Sequence, residues 1–309
     1  HRRRERRESG SGAGVTTTPT MRDERAHAKI NLVLHILARE ANGYHGIETL
    51  FQRLALHDTV RVALSRDRTL LCDGPTMPAG GLGAPESNLA WRAAQLYAEE
   101  TRWDTGWSIT IDKHIPVGGG LGGGSADAAA VLRALNAMSP SPVSRERLLE
   151  LAGTLGADVP CMLLGVSRAW AWGRGDRLLV LPPLTPVSVV LYTFAEGVNT
   201  GAAYGAFAAM RAASGETVHA RQYAADAFDS WERIAAIAAN DFELVVPAMH
   251  AGVRETLISL RRATATAQQT TRGTIGLMSG SGATCFLLSP SGADLAVETG
   301  ASLLVTSTA

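Results

Sequence analysis

The sequence predicts an α+β protein, because helical and extended segments mix without a regular βαβ rhythm. Three observations carry this. Apolar residues alternate over 29–37, at Val60, Val62 and Leu64, and at Trp107, Ile109 and Ile111, as in strands. Two segments, 89–101 and 145–155, have helical periodicity behind a capping residue. A glycine run at 118–124 leads straight into a strong helix former.

Taken in order, Ile30, Leu32, Leu34 and Ile36 face one way and Asn31, Val33 and His35 the other, which predicts a half-buried strand. Residues 39–46 carry an Asn-Gly turn signal. Residues 48–54 predict a second strand, and Val60, Val62 and Leu64 a third. Ser87-Asn88 caps a helix over 89–101, and Trp107, Ile109 and Ile111 form the strand before the glycine run. Ser144 caps a helix with Leu148, Leu151, Ala152 and Leu155 inside, and Gly156 stops it. Strand-like runs follow at 162–164 and 187–193, an Ala-rich helix at 204–239, and a glycine-serine loop before the strand 284–288. Residues 178–195 are uncharged, but Pro182, Pro183 and Pro186 interrupt them, so strands joined by a turn are expected rather than a membrane span.

The chain has 309 residues, 46% of them hydrophobic, and a formal net charge of zero. That composition predicts a globular protein with a full core and argues against nucleic-acid or membrane partners. Residues 1–25 read as a disordered tail or an upstream extension, with an Arg-rich start, no apolar signal segment, and Met21 as a natural start. Residues 26–182 and 183–309 are expected to form two domains, divided at Pro182-Pro183. Cys72, Cys161 and Cys285 are too scattered for a disulfide framework or zinc site, which favours a reducing, cytoplasmic setting. Of 29 basic residues only Lys29 and Lys113 are lysine, and the other 27 are arginine. A lysine that persists in such a chain suggests a task for a compact, rotatable ammonium.

Six glycines occupy 118–124, and glycine costs roughly 0.5–1 kcal/mol against alanine inside regular structure. Exposed backbone N–H groups at a helix start suit a phosphate. No lysine follows the glycines, so a Walker A loop is excluded. Gly118, Gly120 and Gly123 satisfy G-x-G-x-x-G, but residues 140–150 hold a turn and a helix where a dinucleotide fold needs a strand.

The full string from Pro116 through Gly118, Gly119, Gly120, Leu121, Gly122, Gly123, Gly124 and Ser125 to Asp127 resembles the phosphate loop of the GHMP kinases. Four further segments resemble the branch of that superfamily acting on diphosphocytidyl-methylerythritol in non-mevalonate isoprenoid synthesis. They are Ala28-Lys29-Ile30-Asn31-Leu32, Asn42-Gly43-Tyr44-His45, Leu155-Gly156-Ala157-Asp158-Val159-Pro160 and Ser279-Gly280-Ser281-Gly282-Ala283-Thr284.

The resemblance implies a two-domain GHMP kinase fold, with a ribosomal protein S5 domain 2-like N-terminal domain and a ferredoxin-like C-terminal domain. It implies ATP-dependent phosphorylation of the substrate's 2-hydroxyl, with Mg²⁺ neutralising charge, by a monomer or homodimer. Asp158 is then the general base and Lys29 its partner. Pro116 and 118–125 cradle ATP, with Asn88 near the adenine or simply capping its helix. Ser125 caps the loop helix, contacts phosphate or helps hold the metal. Asn31, Tyr44, His45, Lys113, Thr200 and Tyr204 fall on the acceptor side, Tyr44 and Tyr204 offering aromatic faces to cytosine. Departures are His27 for the usual proline, Ala126 for a serine and Asn42 for an aspartate. Alternatives are another GHMP kinase, acting on mevalonate, homoserine or a sugar, and a nucleotide-binding regulator without catalysis.

Overall fold

The computed structural model describes residues 20–39, 45–215, 220–224, 226–267, 271–291 and 297–309. The described residues begin with two long antiparallel strands, β1 (Met21–Arg39) and β2 (His45–Ser65). Met21 to Arg25 pair with residues 59–63, so the strand begins before the boundary expected at residue 26. The two strands expected at 48–54 and 60–64 are one, since neither glycine nor proline interrupts residues 47–65.

Both faces of β1 are buried over residues 28–36, rather than one. The register slips between Asn31 and Val33, a bulge that turns later side chains to the opposite face. Ile30, Leu32 and Val33 therefore pack with Val189, Leu191 and Phe286, whereas Leu34 and Ile36 pack with Tyr192, Phe207 and Phe242. Simple alternation had put Leu34 and Ile36 with Ile30.

β3 (Thr69–Asp73) pairs with β4 (Gly106–Asp112), and between them lies α1 (Leu89–Thr101). α2 (Gly123–Met138), α3 (Arg145–Leu155) and α4 (Val159–Leu164) follow, then β5 (Arg168–Gly173) and β6 (Arg177–Leu181). α3 has the expected cap at Ser144, stop at Gly156 and buried stripe. Residues 162–164, expected as a strand, end α4 instead; Pro160 in its first turn favours a helix start over a strand. These helices pack on the sheet around Trp107, Ile109, Ile111 and the alanines of α1 and α2.

The later part of the chain holds β7 (Ser188–Thr193), α5 (Thr200–Ser214), α6 (Trp231–Ile237), β8 (Ala239–Asn240), α7 (Val246–Met249), α8 (Ala251–Ala267), β9 (Ile275–Met278), β10 (Cys285–Ser289) and β11 (Ser302–Ser307). The single helix expected at 204–239 is two, because Gly215 ends α5 in a left-handed turn and Ser230 caps α6. Among the described residues one sheet runs β3-β4-β2-β1-β8, with β5 and β6 continuing from β2, and a second runs β11-β7-β10-β9. Cys161 and Cys285 are buried, Cys72 is half-buried, and all three are free. Among the described residues no helix is long and apolar enough to cross a membrane.

Candidate active site

Lys29 stands on β1 beside a second register slip, between His27 and Lys29. It is only 5% exposed. Its Nζ donates to Asn31 Oδ1 at 2.7 Å and to the Gly120 carbonyl at 2.9 Å, and lies 3.5 Å from Asp158 Oδ2. Its backbone N–H donates to the Leu121 carbonyl at 3.0 Å, and its ammonium sits 5.6 Å from the centre of the Phe51 ring. One buried cation thus joins the first strand, the glycine loop and the start of α4.

Asp158 occupies the N-cap position of α4, yet its side chain makes no capping bond there. Its carboxylate, 27% exposed, is left to face Lys29 and the cleft. The ammonium is placed to offset negative charge that develops beside it.

The glycine loop ends at Gly122, which sits at φ +73° as the N-cap of α2. Ser125 therefore lies inside the helix's first turn and does not cap it. The first intrahelical bond runs from Ala126 N to the Gly122 carbonyl at 2.9 Å, so the amides of Gly123, Gly124 and Ser125 precede the ladder. They present the positive end of the helix dipole. Not every glycine serves an anion. A Cβ at Gly120 would lie 2.2 Å from the Ser279 carbonyl, and one at Gly122 would lie 2.7 Å from Met162 Cε. The loop meshes with the second glycine loop, where Thr284 N donates to the Gly119 carbonyl at 3.2 Å and Ser279 Oγ to that of Gly120 at 3.0 Å.

Lys29, Asn31, His45, Gly120, Gly122, Ser125, Asp158, Thr200 and Tyr204 line one cleft. Asn31 Nδ2 donates to Thr49 Oγ1 at 2.8 Å, which holds its oxygen toward Lys29. The His45 and Tyr204 rings stack at 5.1 Å with 16° between planes, and Phe242 meets Tyr204 edge-on at 4.9 Å. Burial, and then the nearby Asp158 charge, push the Tyr204 hydroxyl up to about 12. Thr200 opens α5, and its Oγ1 lies 2.8 Å from Ser281 Oγ. Tyr44 lies outside the described residues.

Two expected residues stand elsewhere. Asn88 caps α1, accepting from Ala90 N at 2.9 Å, with its Nδ2 turned toward Cys72 Sγ. Lys113 is 3% exposed and behind the loop, where its ammonium pairs with Asp58 and with Asp127 Oδ2 at 2.6 Å. Asp58 also accepts from the amides of His114 and Ile115, at 2.6 and 2.7 Å. Burial opposes the charge on Lys113, but Asp127 and Asp58 outweigh it and raise its pKa. Burial pushes Asp127 up to about 7 against the pull of Lys113. This lysine anchors the strand before the loop to α2 and does not reach the cleft.

Sequence reasoning passed over Asn240, whose Nδ2 donates to the Met278 and Gly280 carbonyls at 2.7 and 2.8 Å and so fixes the second glycine loop. Its signal was a polar Asn-Asp pair just after an apolar helix.

Residues 88–166 match the family model described as the GHMP kinases N terminal domain. Over 267 residues the chain is 39% identical to the 4-diphosphocytidyl-2-C-methyl-D-erythritol kinase of Pelotomaculum thermopropionicum, covering 84% of this chain and 86% of that one. The match to the same-named protein of Desulfitobacterium hafniense is 43% identical over 182 residues, 59% of this chain but only 60% of the relative. A crystal structure of 4-(cytidine 5'-diphospho)-2C-methyl-D-erythritol kinase superposes with a TM-score of 0.69 at 33% identity, covering 93% of this chain and 99% of the other. With the Lys29–Asp158 pair, the amide-lined start of α2 and the stacked rings in one cleft, these matches make the chain a member of the 4-diphosphocytidyl-2-C-methyl-D-erythritol kinase family of GHMP kinases.

Proposed function

We propose that the protein transfers the γ-phosphate of ATP to the 2-hydroxyl of 4-diphosphocytidyl-2-C-methyl-D-erythritol, releasing ADP. The observation that carries this is the meeting in one cleft of a helix start, a lysine–aspartate pair and an aromatic stack. Those three parts suit a phosphate donor, an acceptor hydroxyl and a flat base, respectively.

Phosphoryl transfer asks chiefly for positioning and charge stabilisation. The amides of Gly123, Gly124 and Ser125 supply donors for the phosphates of ATP. Asp158 takes the proton of the acceptor hydroxyl as its oxygen bonds to the γ-phosphorus and the bond to the β-phosphate oxygen breaks. Lys29, 3.5 Å from Asp158, orients that carboxylate and offsets charge on the transferring group. The rings of His45 and Tyr204 hold the cytosine end, with Asn31 and Thr200 orienting the polar chain between them.

Magnesium fits this site mainly through the nucleotide. Among the described residues no group of three or more His, Cys, Asp or Glu could hold a metal. Asp127 is committed to Lys113. Ser125 Oγ lines the cleft and offers one oxygen, which accords with an ion that keeps waters and phosphate oxygens as its main ligands. When bound, Mg²⁺ neutralises phosphate charge.

The division at Pro182-Pro183 is supported by the sheets, since among the described residues β8 is the one later strand in the first sheet, with a single bridge from Thr308 to Leu54 besides. Three free thiols accord with a reducing, cytoplasmic setting. The test is ADP release with the cytidyl substrate, mevalonate and homoserine side by side. Turnover of the first alone is expected; preference for either of the others overturns the reading.

A further inference from the structure

A second cavity, of about 230 Å³, lies behind the catalytic lysine. Lys29 and Phe51 form the wall it shares with the cleft. Its volume falls just under the roughly 300–1,000 Å³ of pockets for drug-sized ligands, so an occupant must be compact. Apolar lining comes from Phe51, Met162 and Val166, and polar lining from His27, Arg53 and Arg133.

The charge around this cavity is out of balance. Arg133 has a counter-ion in Glu24 at 3.0 Å and donates to the Met162 and Arg25 carbonyls at 3.0 and 3.1 Å. Arg53 has no carboxylate partner among the described residues: its Nη1 donates to the Gly165 carbonyl and its Nε is buried without an acceptor. Arg168, also on the wall, spends its guanidinium on the carbonyls of Pro182 and Phe228. Among the described residues Glu24 is the one acidic residue lining the cavity.

The titratable groups register this excess. Burial, and then the Arg133 charge, hold the Arg53 guanidinium below its ordinary value. Burial holds the His27 imidazole low as well; the Leu54 carbonyl, 2.8 Å from its Nδ1, opposes this, while Arg53, His57 and Arg25 add to it. The Arg53, Arg133 and His27 side chains are half-buried, but Arg53 Nε is enclosed without an acceptor, and an anion beside it relieves that cost.

We infer that this cavity binds a small organic phosphate, its head group against Arg53, Arg133 and His27 and a short apolar chain over Phe51, Met162 and Val166. The Arg53 guanidinium offers a phosphate oxygen the donor that lacks an acceptor, and Arg133 and the His27 imidazole add positive charge beside it. The apolar lining excludes a fully hydrated ion as the best occupant. This site is separate from the phosphate loop, which lies across Lys29.

The probe is n-butyl phosphate, titrated into the full chain with the phosphate loop saturated by a non-hydrolysable ATP analogue. The readout is the NMR titration of the His27 ring, identified by the signal lost in His27→Gln. Saturable binding that raises the His27 midpoint is expected, because a bound anion favours the imidazolium. Butanol should leave the midpoint in place, and inorganic phosphate should bind more weakly. Arg53→Gln should weaken butyl phosphate by about tenfold or more, the worth of a charge-assisted bond. Val166→Phe, which fills the cavity and keeps every charge, should abolish saturable binding. Undiminished binding of the ATP analogue shows that both variants are folded. No saturable shift, or equal affinity in wild type and both variants, overturns the site; equal affinity for inorganic phosphate overturns the organic assignment.

Discussion

The ammonium of Lys29 lies 3.5 Å from the Asp158 carboxylate while it donates to the Gly120 carbonyl at 2.9 Å. One side chain therefore ties the proposed base to the phosphate loop. A guanidinium keeps the charge but not the shape. A Cβ placed on Gly122 would already stand 3.2 Å from Lys29 Cγ and Cε, so the glycine loop packs against this side chain, and a planar fork cannot repeat the ammonium's approach to Asn31, Gly120 and Asp158. Lys29→Arg should lower kcat by about a hundredfold, the scale of one lost electrostatic donor, while ATP-analogue binding stays within a few-fold. Steady-state kinetics and an equilibrium titration check this; an unchanged kcat would mean that charge alone suffices.

Tyr204 stacks on His45 and is braced edge-on by Phe242. A base–aromatic contact is worth about 1–3 kcal/mol, or roughly 5- to 150-fold in affinity. Tyr204→Ala should raise KM for the cytidyl substrate by that range and leave KM for ATP nearly unchanged, and Tyr204→Phe should restore most of it. Equal effects on both KM values would make Tyr204 a packing residue.

Gly120→Ala should be damaging out of proportion to its size. The residue sits at φ +77°, and an added Cβ would meet the Ser279 carbonyl at 2.2 Å, so the two glycine loops must part. Tm should fall and ATP affinity should drop at least about tenfold, as a lost 1.4 kcal/mol would give. Gly153→Ala is the control. It lies in α3 with nothing within 4 Å of an added Cβ, and should gain about 0.5–1 kcal/mol. Thermal melts of the two variants give opposite signs if this is right.

The Asp58–Lys113–Asp127 cluster sets two carboxyls against one ammonium out of water. Asp127 is raised from 3.8 to about 7 by burial. Between those values the unfolded chain has released a proton that the folded chain retains, so this group's contribution to stability falls as pH rises from about 4 to about 7, by at most ~1.4 kcal/mol per pH unit. Asp127→Asn removes the titration and leaves a one-to-one pair. Its stability relative to wild type, from denaturant melts, should therefore rise across that window. A flat difference would mean that Asp127 is ionised throughout.

Much of this was legible in the sequence where the signal is local. Asn88 and Ser144 cap helices as their position before an apolar stripe requires, and the glycine string runs straight into a helix start, as its sequence indicates. What was not legible depends on partners distant in the chain. The bulge at residues 31–33 turns Leu34 to the other core and appears only in the pairing with β2. The scarcity of lysine suggested a task beside the chemistry for both lysines, but only the Lys29 ammonium lines the cleft, and that of Lys113 sits in a buried ion cluster. Asp58 decides that, and nothing in the residues near Lys113 shows it. Gly120 and Gly122 read as phosphate glycines, yet their Cβ positions are filled by Ser279 and Met162.

Asp158→Asn tests the central claim most directly. The amide keeps the shape at the start of α4 but cannot take the proton of the acceptor hydroxyl. Single-turnover ADP release with the cytidyl substrate, measured beside ATP-analogue binding, should show the chemical step slowed by about 10²–10⁴-fold with nucleotide affinity intact. A chemical step within a few-fold of wild type would contradict the assignment of Asp158 as the base.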